Sequence, residues 1–288
     1  MSSAYILYHY SPSFPAAVCF AIGFGTSAAI HLWQAYHNRT KFMSPFVIGT
    51  ILESLGYIAR MISAKQTPDW SVGPYALQSL LLLLAPPLLA ASMYTFLGRI
   101  IRLVEGESRS PIQPKKTTRI FVTGDVLSFL LQSGGGAILA QAKTASSVQV
   151  GERVIIVGLF VQVIFFSVFM AVSVLFHKNI HNNPTPKSIS RSASKGGGIP
   201  LWKLCLFLLY ATSVLIMVRS IYRVIEYVEG SEGYLQSHEA FLYVFDAALM
   251  LVVCGVFNAR HPGILLDEDM DDGGLEMGIG QGEYSRMR

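Results

Sequence analysis

Charge is what this 288-residue chain has least of. Only 14% of its residues are Asp, Glu, Lys or Arg, where an ordinary soluble domain carries roughly 25%. With 52% of residues hydrophobic, there is too little polar surface to face water on every side, which excludes a soluble globule. Cysteine is almost as scarce: Cys19, Cys205 and Cys254 all fall in apolar stretches, where they pack as small hydrophobes, so neither a disulfide framework nor a cysteine metal site is expected. Three chemical signatures are missing as well. There is no G-x-x-x-x-G-K-[ST], no G-x-S-x-G and no H-E-x-x-H, which excludes ATP binding through a P-loop and leaves no catalytic constellation to name. His31 is the single histidine well inside an apolar stretch, and His177 and His181 stand beside a basic segment as a solvated pair. No metal, cofactor or enzymatic activity is expected from this set.

What the chain does have is long apolar runs. Seven of them, near 14–36, 45–63, 75–98, 118–141, 153–176, 203–225 and 238–258, reach the ~20 residues needed to cross hydrocarbon. The expected fold is therefore all-α and polytopic, a seven-helix transmembrane domain over 14–260. The basic residues alternate between its loops. Arg39 and Lys41, the segment from Arg99 to Arg119, and the group Lys178, Lys187, Arg191, Lys195 and Lys203 hold most of them, while the intervening loops hold only Lys65, Lys143 and Arg153. By the positive-inside rule residues 1–13 lie outside and the carboxyl terminus is cytosolic. The net charge of +4 thus reports topology and gives no reason to expect nucleic acid. Residues 1–13 lack a basic n-region, so no cleavable signal peptide is expected. Asn38-Arg39-Thr40 has the form of a glycosylation sequon but falls on the cytosolic side. Residues 181–200, rich in Asn, Pro, Ser, Lys and Gly, read as a flexible cytosolic linker, and 261–288 read as a disordered acidic tail. The basic loops or that tail could contact a cytosolic protein.

Polar residues inside the spans carry the functional signal, because an ionisable group in hydrocarbon costs at least ~2.5 kcal/mol and normally faces a partner or a cavity. Seven residues turn a helix almost twice, so Glu53, Tyr57 and Arg60 share a face of span two. The same spacing groups Asp125 with Gln132 on span four, Arg219, Arg223 and Glu226 on span six, and Glu239, Tyr243 and Asp246 on span seven. Gln78 and Gln162 add one amide each on spans three and five. Arg219 precedes Glu226 by as many residues as Asp246 follows Glu239, which places both ~10 Å inside the outer boundary as plausible partners. Arg60, Arg219 and Arg223 then balance Glu226, Glu239 and Asp246 in the outer half. Asp125 stands apart in the cytosolic half without an evident cation, which suits proton binding or cation recognition. Such a cluster either fixes helix register or lines a polar cavity above an apolar interior, suited to an amphiphile. Pro86-Pro87 predicts a bend in span three, and Gly134-Gly135-Gly136 a close helix approach.

In order along the chain, Tyr10-Ser11-Pro12-Ser13, Glu53-x-x-Gly56-Tyr57-x-x-Arg60, Gln78 with Ala85-Pro86 and Tyr94, Asp125-x-x-Ser128 with Gln132, and Gly158-Leu159-x-x-Gln162 resemble the fungal RTA-like family of lipid-translocating exporters. Arg219-Ser220-x-Tyr222-Arg223-x-x-Glu226, Glu239 with Tyr243-Val244-Phe245-Asp246, and His261-Pro262-Gly263 extend the resemblance. It implies seven spans, a plasma-membrane location, and translocation of amphiphilic lipids such as sphingoid long-chain bases. In that reading Asp246, Glu239 and Asp125 recognise an amine while the arginines keep the acids ionised. The alternative is a seven-span, receptor-like sensor of membrane lipid or drug stress.

Overall fold

The computed structural model describes Tyr8 and residues 10–142, 144–193, 199–230 and 233–262. Seven helices in it are long and apolar enough to cross a membrane: α1 (Phe14–His37), α2 (Ser44–Lys65), α3 (Val72–Leu103), α4 (Pro114–Ala140), α5 (Ala145–Asn182), α7 (Leu201–Val228) and α8 (Glu239–Ala259). A short helix, α6 (Pro186–Ala193), lies between the fifth and sixth. The described residues contain no strand. Each long helix packs on the next, α8 returns to α1 to close the ring, and α3 also touches α7 across the bundle. Tyr8, Tyr10 and the loops after α2, α4 and α7 share one side of the bundle, here the amino-terminal side.

The distribution of polarity inverts that of a soluble protein. Ile22, Leu32, Trp33, Leu130, Ile164, Phe207 and Val252 are exposed, whereas Glu53, Arg60, Asp125, Arg219, Glu226 and Asp246 are buried. A helix satisfies its own backbone, so apolar side chains can face lipid while charges turn inward. Local signals set the ends. Ser13 caps α1, its hydroxyl accepting the Ala16 N–H at 3.4 Å, and Thr144 caps α5 through the Ser147 N–H at 3.2 Å.

Two helices overrun their apolar segments. α3 has 32 residues and α5 has 38. Hydropathy locates the slab crossed, but a helix runs on until something breaks it. For α5 that is Pro184, which disfavours helical geometry in Asn183 before it; Asn183 has left the helix, at φ −131° and ψ 75°. The segment read as a flexible linker is in part helical, which corrects that reading for residues 181–182 and 186–193. Pro186 opens α6, a position Pro favours. Thr185 accepts the Ser188 N–H at 3.1 Å and donates its own hydroxyl to the Val104 carbonyl at 2.5 Å. Pro, Ser and Asn are cap residues as well as loop residues, so composition alone could not separate the two. Residues 194–198, and the tail from 263 onward, lie outside the described residues.

Of the three glycines in span four, Gly135 makes the close approach: an added Cβ would stand 2.6 Å from Ile155 Cγ1 and 2.7 Å from the Gly151 carbonyl, whereas Gly134 and Gly136 have open space. Gly56 plays the same part between α2 and α3, where a Cβ would meet Leu82 Cδ2 at 2.5 Å.

Candidate functional site

α2 turns Glu53, Tyr57 and Arg60 into the bundle, all buried. Arg60 is completely buried, and two of its three guanidinium nitrogens have partners. Nη2 donates to Glu239 Oε1 at 2.7 Å and to the Tyr10 hydroxyl at 2.9 Å, and Nε donates to the Tyr243 hydroxyl at 3.0 Å. The rings of Tyr8, Tyr10 and Tyr243 lie 5.3–5.8 Å from its central carbon, within cation–π range. Both Glu239 oxygens also accept the Ser13 backbone N–H at 2.9 Å, which ties the start of α1 to the start of α8. Burial pushes the phenols of Tyr8 and Tyr10 above their ordinary range, so they serve Arg60 as neutral groups. Tyr8 donates in turn to Gln78 Oε1 at 2.9 Å.

A second and third ion pair lie beside the first. Arg219 Nε donates to Asp246 Oδ1, and Arg219 Nη2 donates to the Leu82 carbonyl at 3.3 Å. That carbonyl is available for a stated reason: Pro86, four residues on, has no N–H to give it. The double proline inside α3 thereby creates a docking point for an arginine of α7. Arg223 pairs with Glu226 at 2.7 Å and approaches Asp246 Oδ2 at 3.9 Å, while the Tyr222 hydroxyl reaches Glu226 Oε1 at 3.4 Å. In α8, residues Tyr243–Ala248 form a π-helical turn. Glu239, just before this turn, and Tyr243, at its start, meet Arg60, and Asp246 within it meets Arg219.

Two cavities meet over this network. A vestibule of about 90 Å³ on the amino-terminal side is bordered by Tyr10, Arg60, Gln78, Arg223, Glu226 and Asp246. A larger pocket of about 470 Å³ lies between α3, α4, α5 and α7, bordered by Leu80, Leu83, Gln132, Gly136, Leu139 and Ile155. Tyr75, Ser79, Arg223 and Tyr227 line both, so the polar space and the apolar one are neighbours on either side of these four side chains. The pocket's border includes the exposed residues Ser79, Leu80, Ala137 and Ala140, which opens it sideways between α3 and α4 toward the apolar outer surface. Its size falls in the range of small-molecule sites.

The remaining predicted residues stand elsewhere. Asp125, 3% exposed, accepts a hydrogen bond from the Tyr94 hydroxyl at 2.8 Å. Tyr94 is packed among the rings of Phe121, Phe166 and Phe169, with centroids 4.6–6.4 Å away. Gln132 donates to Ser128 Oγ at 2.5 Å and to Gln162 Oε1 at 3.2 Å, and Ser128 donates to the Gly158 carbonyl at 2.8 Å. That ladder fastens α4 to α5, and Gln132 also borders the apolar pocket. Thus Glu53, Tyr57, Arg60, Gln78, Arg219, Arg223, Glu226, Glu239, Tyr243 and Asp246 gather on the amino-terminal side, and Asp125 and Gln162 are apart from them. The expected adjacency of Arg219 and Asp246 is present. Unforeseen were the roles of Ser13, Tyr10, Tyr94 and the Leu82 carbonyl, and the pocket between α3 and α4. Of these, only the carbonyl has a sequence signal, the proline four residues later. Among the described residues no group of three or more His, Cys, Asp or Glu side chains could hold a metal.

Comparison with known proteins adds a family to this geometry. Residues 46–269 match the family model described as RTA1 like protein. The chain is 35% identical to protoporphyrin uptake protein 1 of Saccharomyces cerevisiae, covering 89% of this chain and 92% of that one. It is 39% identical to protein RTM1 of Saccharomyces cerevisiae, over 80% and 72% of the two chains. It is 26% identical to the sphingoid long-chain base transporter RSB1 of Saccharomyces cerevisiae, over 83% and 69%. No solved structure matches.

Proposed function

This chain belongs to the RTA1-like family, and from that premise we propose that it translocates amphiphilic lipids or lipid-like molecules, with the head group in the vestibule and the apolar body in the adjoining pocket. The observation that carries this reading is that the two cavities adjoin, with Tyr75, Ser79, Arg223 and Tyr227 bordering both. A polar chamber holding both signs of charge, beside an apolar space open toward lipid, fits a molecule with a charged end and a greasy end. The names of two relatives agree on that shape and differ in charge. One is named for protoporphyrin and the other for sphingoid bases: an apolar body with acidic groups in the first case and with an amine in the second.

Glu239 and Asp246 are each paired with an arginine, so an entering head group meets ion pairs, not free carboxylates. Arg223 and Glu226 line the vestibule together, and a head group of either sign can compete for the member it complements. From the positive-inside pattern we infer that the amino-terminal side, and with it the vestibule, faces outside the cell. We assign the protein to the plasma membrane on the family resemblance.

The test is reconstitution in liposomes with a fluorescent long-chain base, and separately with a fluorescent porphyrin, scoring movement between leaflets. Lipid movement in protein-containing vesicles that falls in Tyr227→Ala and Gly136→Leu, which crowd or empty the pocket, supports translocation. Tight binding with no movement would instead favour a lipid sensor.

A further inference from the structure

The network of the amino-terminal half contains three arginines but four carboxyl groups. Arg60, Arg219 and Arg223 are each matched to one acid, namely Glu239, Asp246 and Glu226. The fourth acid, Glu53, is 2% exposed, makes no ion pair among the described residues, and its Oε1 has no hydrogen-bond partner. It faces Arg219 and Arg223 of α7, and Asp246 and Cys254 of α8, through electrostatic interactions longer than an ion pair. Two further buried atoms on the same face of α2 are also unpartnered: the Tyr57 hydroxyl, on a residue with no exposure, and Arg60 Nη1. Residues 53, 57 and 60 are one and two turns apart, so these atoms form a polar line. It runs from Glu53, the farthest of the three from the end of α2, to Arg60 at the wall of the vestibule.

From this geometry we infer that Glu53 is a proton-carrying site that couples lipid movement to proton movement. The inference rests on the translocation reading for its coupling, and on the charge count for the proton. Three arginines and four carboxyls are neutral together only when one carboxyl is a carboxylic acid. Glu53 is that one, because an ionised carboxylate without a partner in this surrounding is costly. The step is simple to balance. A head group that displaces Arg219 or Arg223 from its acid frees a guanidinium to turn toward Glu53. The Glu53 O–H bond then breaks, its proton passes to water admitted beside Asp246, which borders the vestibule, and the new carboxylate pairs with the arginine. Return of the arginine reverses the transfer.

Two measurements test this. The first uses the wild-type protein in liposomes and a hydrophobic carbodiimide, which adds to protonated carboxyls in apolar sites, with peptide mass spectrometry to locate the adduct. Modification at Glu53 that falls when long-chain base is added is expected, whereas modification at other carboxyls but not Glu53 overturns the proposal. The second compares leaflet-to-leaflet movement with and without an imposed pH gradient. The wild type should respond to the gradient, and Glu53→Gln, which keeps shape and a hydrogen-bonding side chain, should lose that response whatever its rate of lipid movement. A gradient response retained in Glu53→Gln also overturns it. If the wild type moves no lipid at all, translocation fails, and the carbodiimide result still decides whether Glu53 carries a proton.

Discussion

Two buried acids, Asp246 and Asp125, are almost equally hidden from solvent and are handled in opposite ways. Asp246 is held by Arg219 and approached by Arg223; Asp125 has a single phenol, Tyr94, inside a cage of phenylalanine rings. The first belongs to a network tied to the amino-terminal segment, α2, α3, α7 and α8. The second is a local contact between α3 and α4. The difference teaches that two acids of equal burial can be kept by different means, Asp246 by two cationic neighbours and Asp125 by one neutral donor in an apolar cage.

The sharpest way to break the comparison is Arg219→Ala. Asp246 would then keep only the longer contact to Arg223, and removal of one partner from a buried pair costs about 3 kcal/mol or more. A large drop in melting temperature in detergent is expected, with most of it recovered in the double variant Arg219→Gln/Asp246→Asn. If the single variant melts like the wild type, the pair is not a structural unit.

Tyr94→Phe should cost less, about 1–3 kcal/mol, because it leaves one buried acceptor without its donor. Asp125→Asn in the Tyr94→Phe background should restore part of that, as an amide is cheaper to bury than a carboxylate. Equal melting of the two variants would show that the phenol does not serve the acid.

Pro86→Ala returns an N–H to the Leu82 carbonyl. The change in stability should stay within about 1 kcal/mol, while lipid movement slows because Arg219 must share its acceptor. The readout is a split between an unchanged melting curve and an altered rate.

The last effect is one of pH and concerns His261, just past the end of α8 and buried. Burial holds its imidazole down at about 4, against an ordinary value near 6.5. The unfolded chain therefore binds the extra proton between those values, so stability is full above about 6.5 and falls as pH drops toward 4. Melting curves from pH 7 to pH 5 should show a decline that is shallower in His261→Gln.

The spans and much of the ion-pair network were legible in the sequence, for physical reasons that also mark where legibility stops. A run of apolar residues must cross the membrane as helix, and depth along a helix is fixed by residue number, so Arg219 and Asp246 could be matched from their distances to the boundary. Tyr10 and Ser13 could not be matched to Arg60 and Glu239 in that way, since they lie outside any span and have no depth to compare. Tyr94 could not be assigned to Asp125, because a phenol among leucines and alanines looks like ordinary core. The pocket between α3 and α4 depends on how two helices diverge, which no single helix encodes. The overruns of α3 and α5, and helix α6, were missed because apolarity ends at the slab while helices end at breakers and caps.

The sideways opening between α3 and α4 changes what affinity means for this protein. A ligand that arrives through it never has to dissolve in water, so occupancy depends on its mole fraction in the surrounding leaflet. An amphiphile crowded into a film a few nanometres thick is already concentrated there, and weak binding is enough to fill the pocket. Weak binding also lets it leave on the next encounter, so the bilayer itself does much of the gathering and the protein need only offer the doorway.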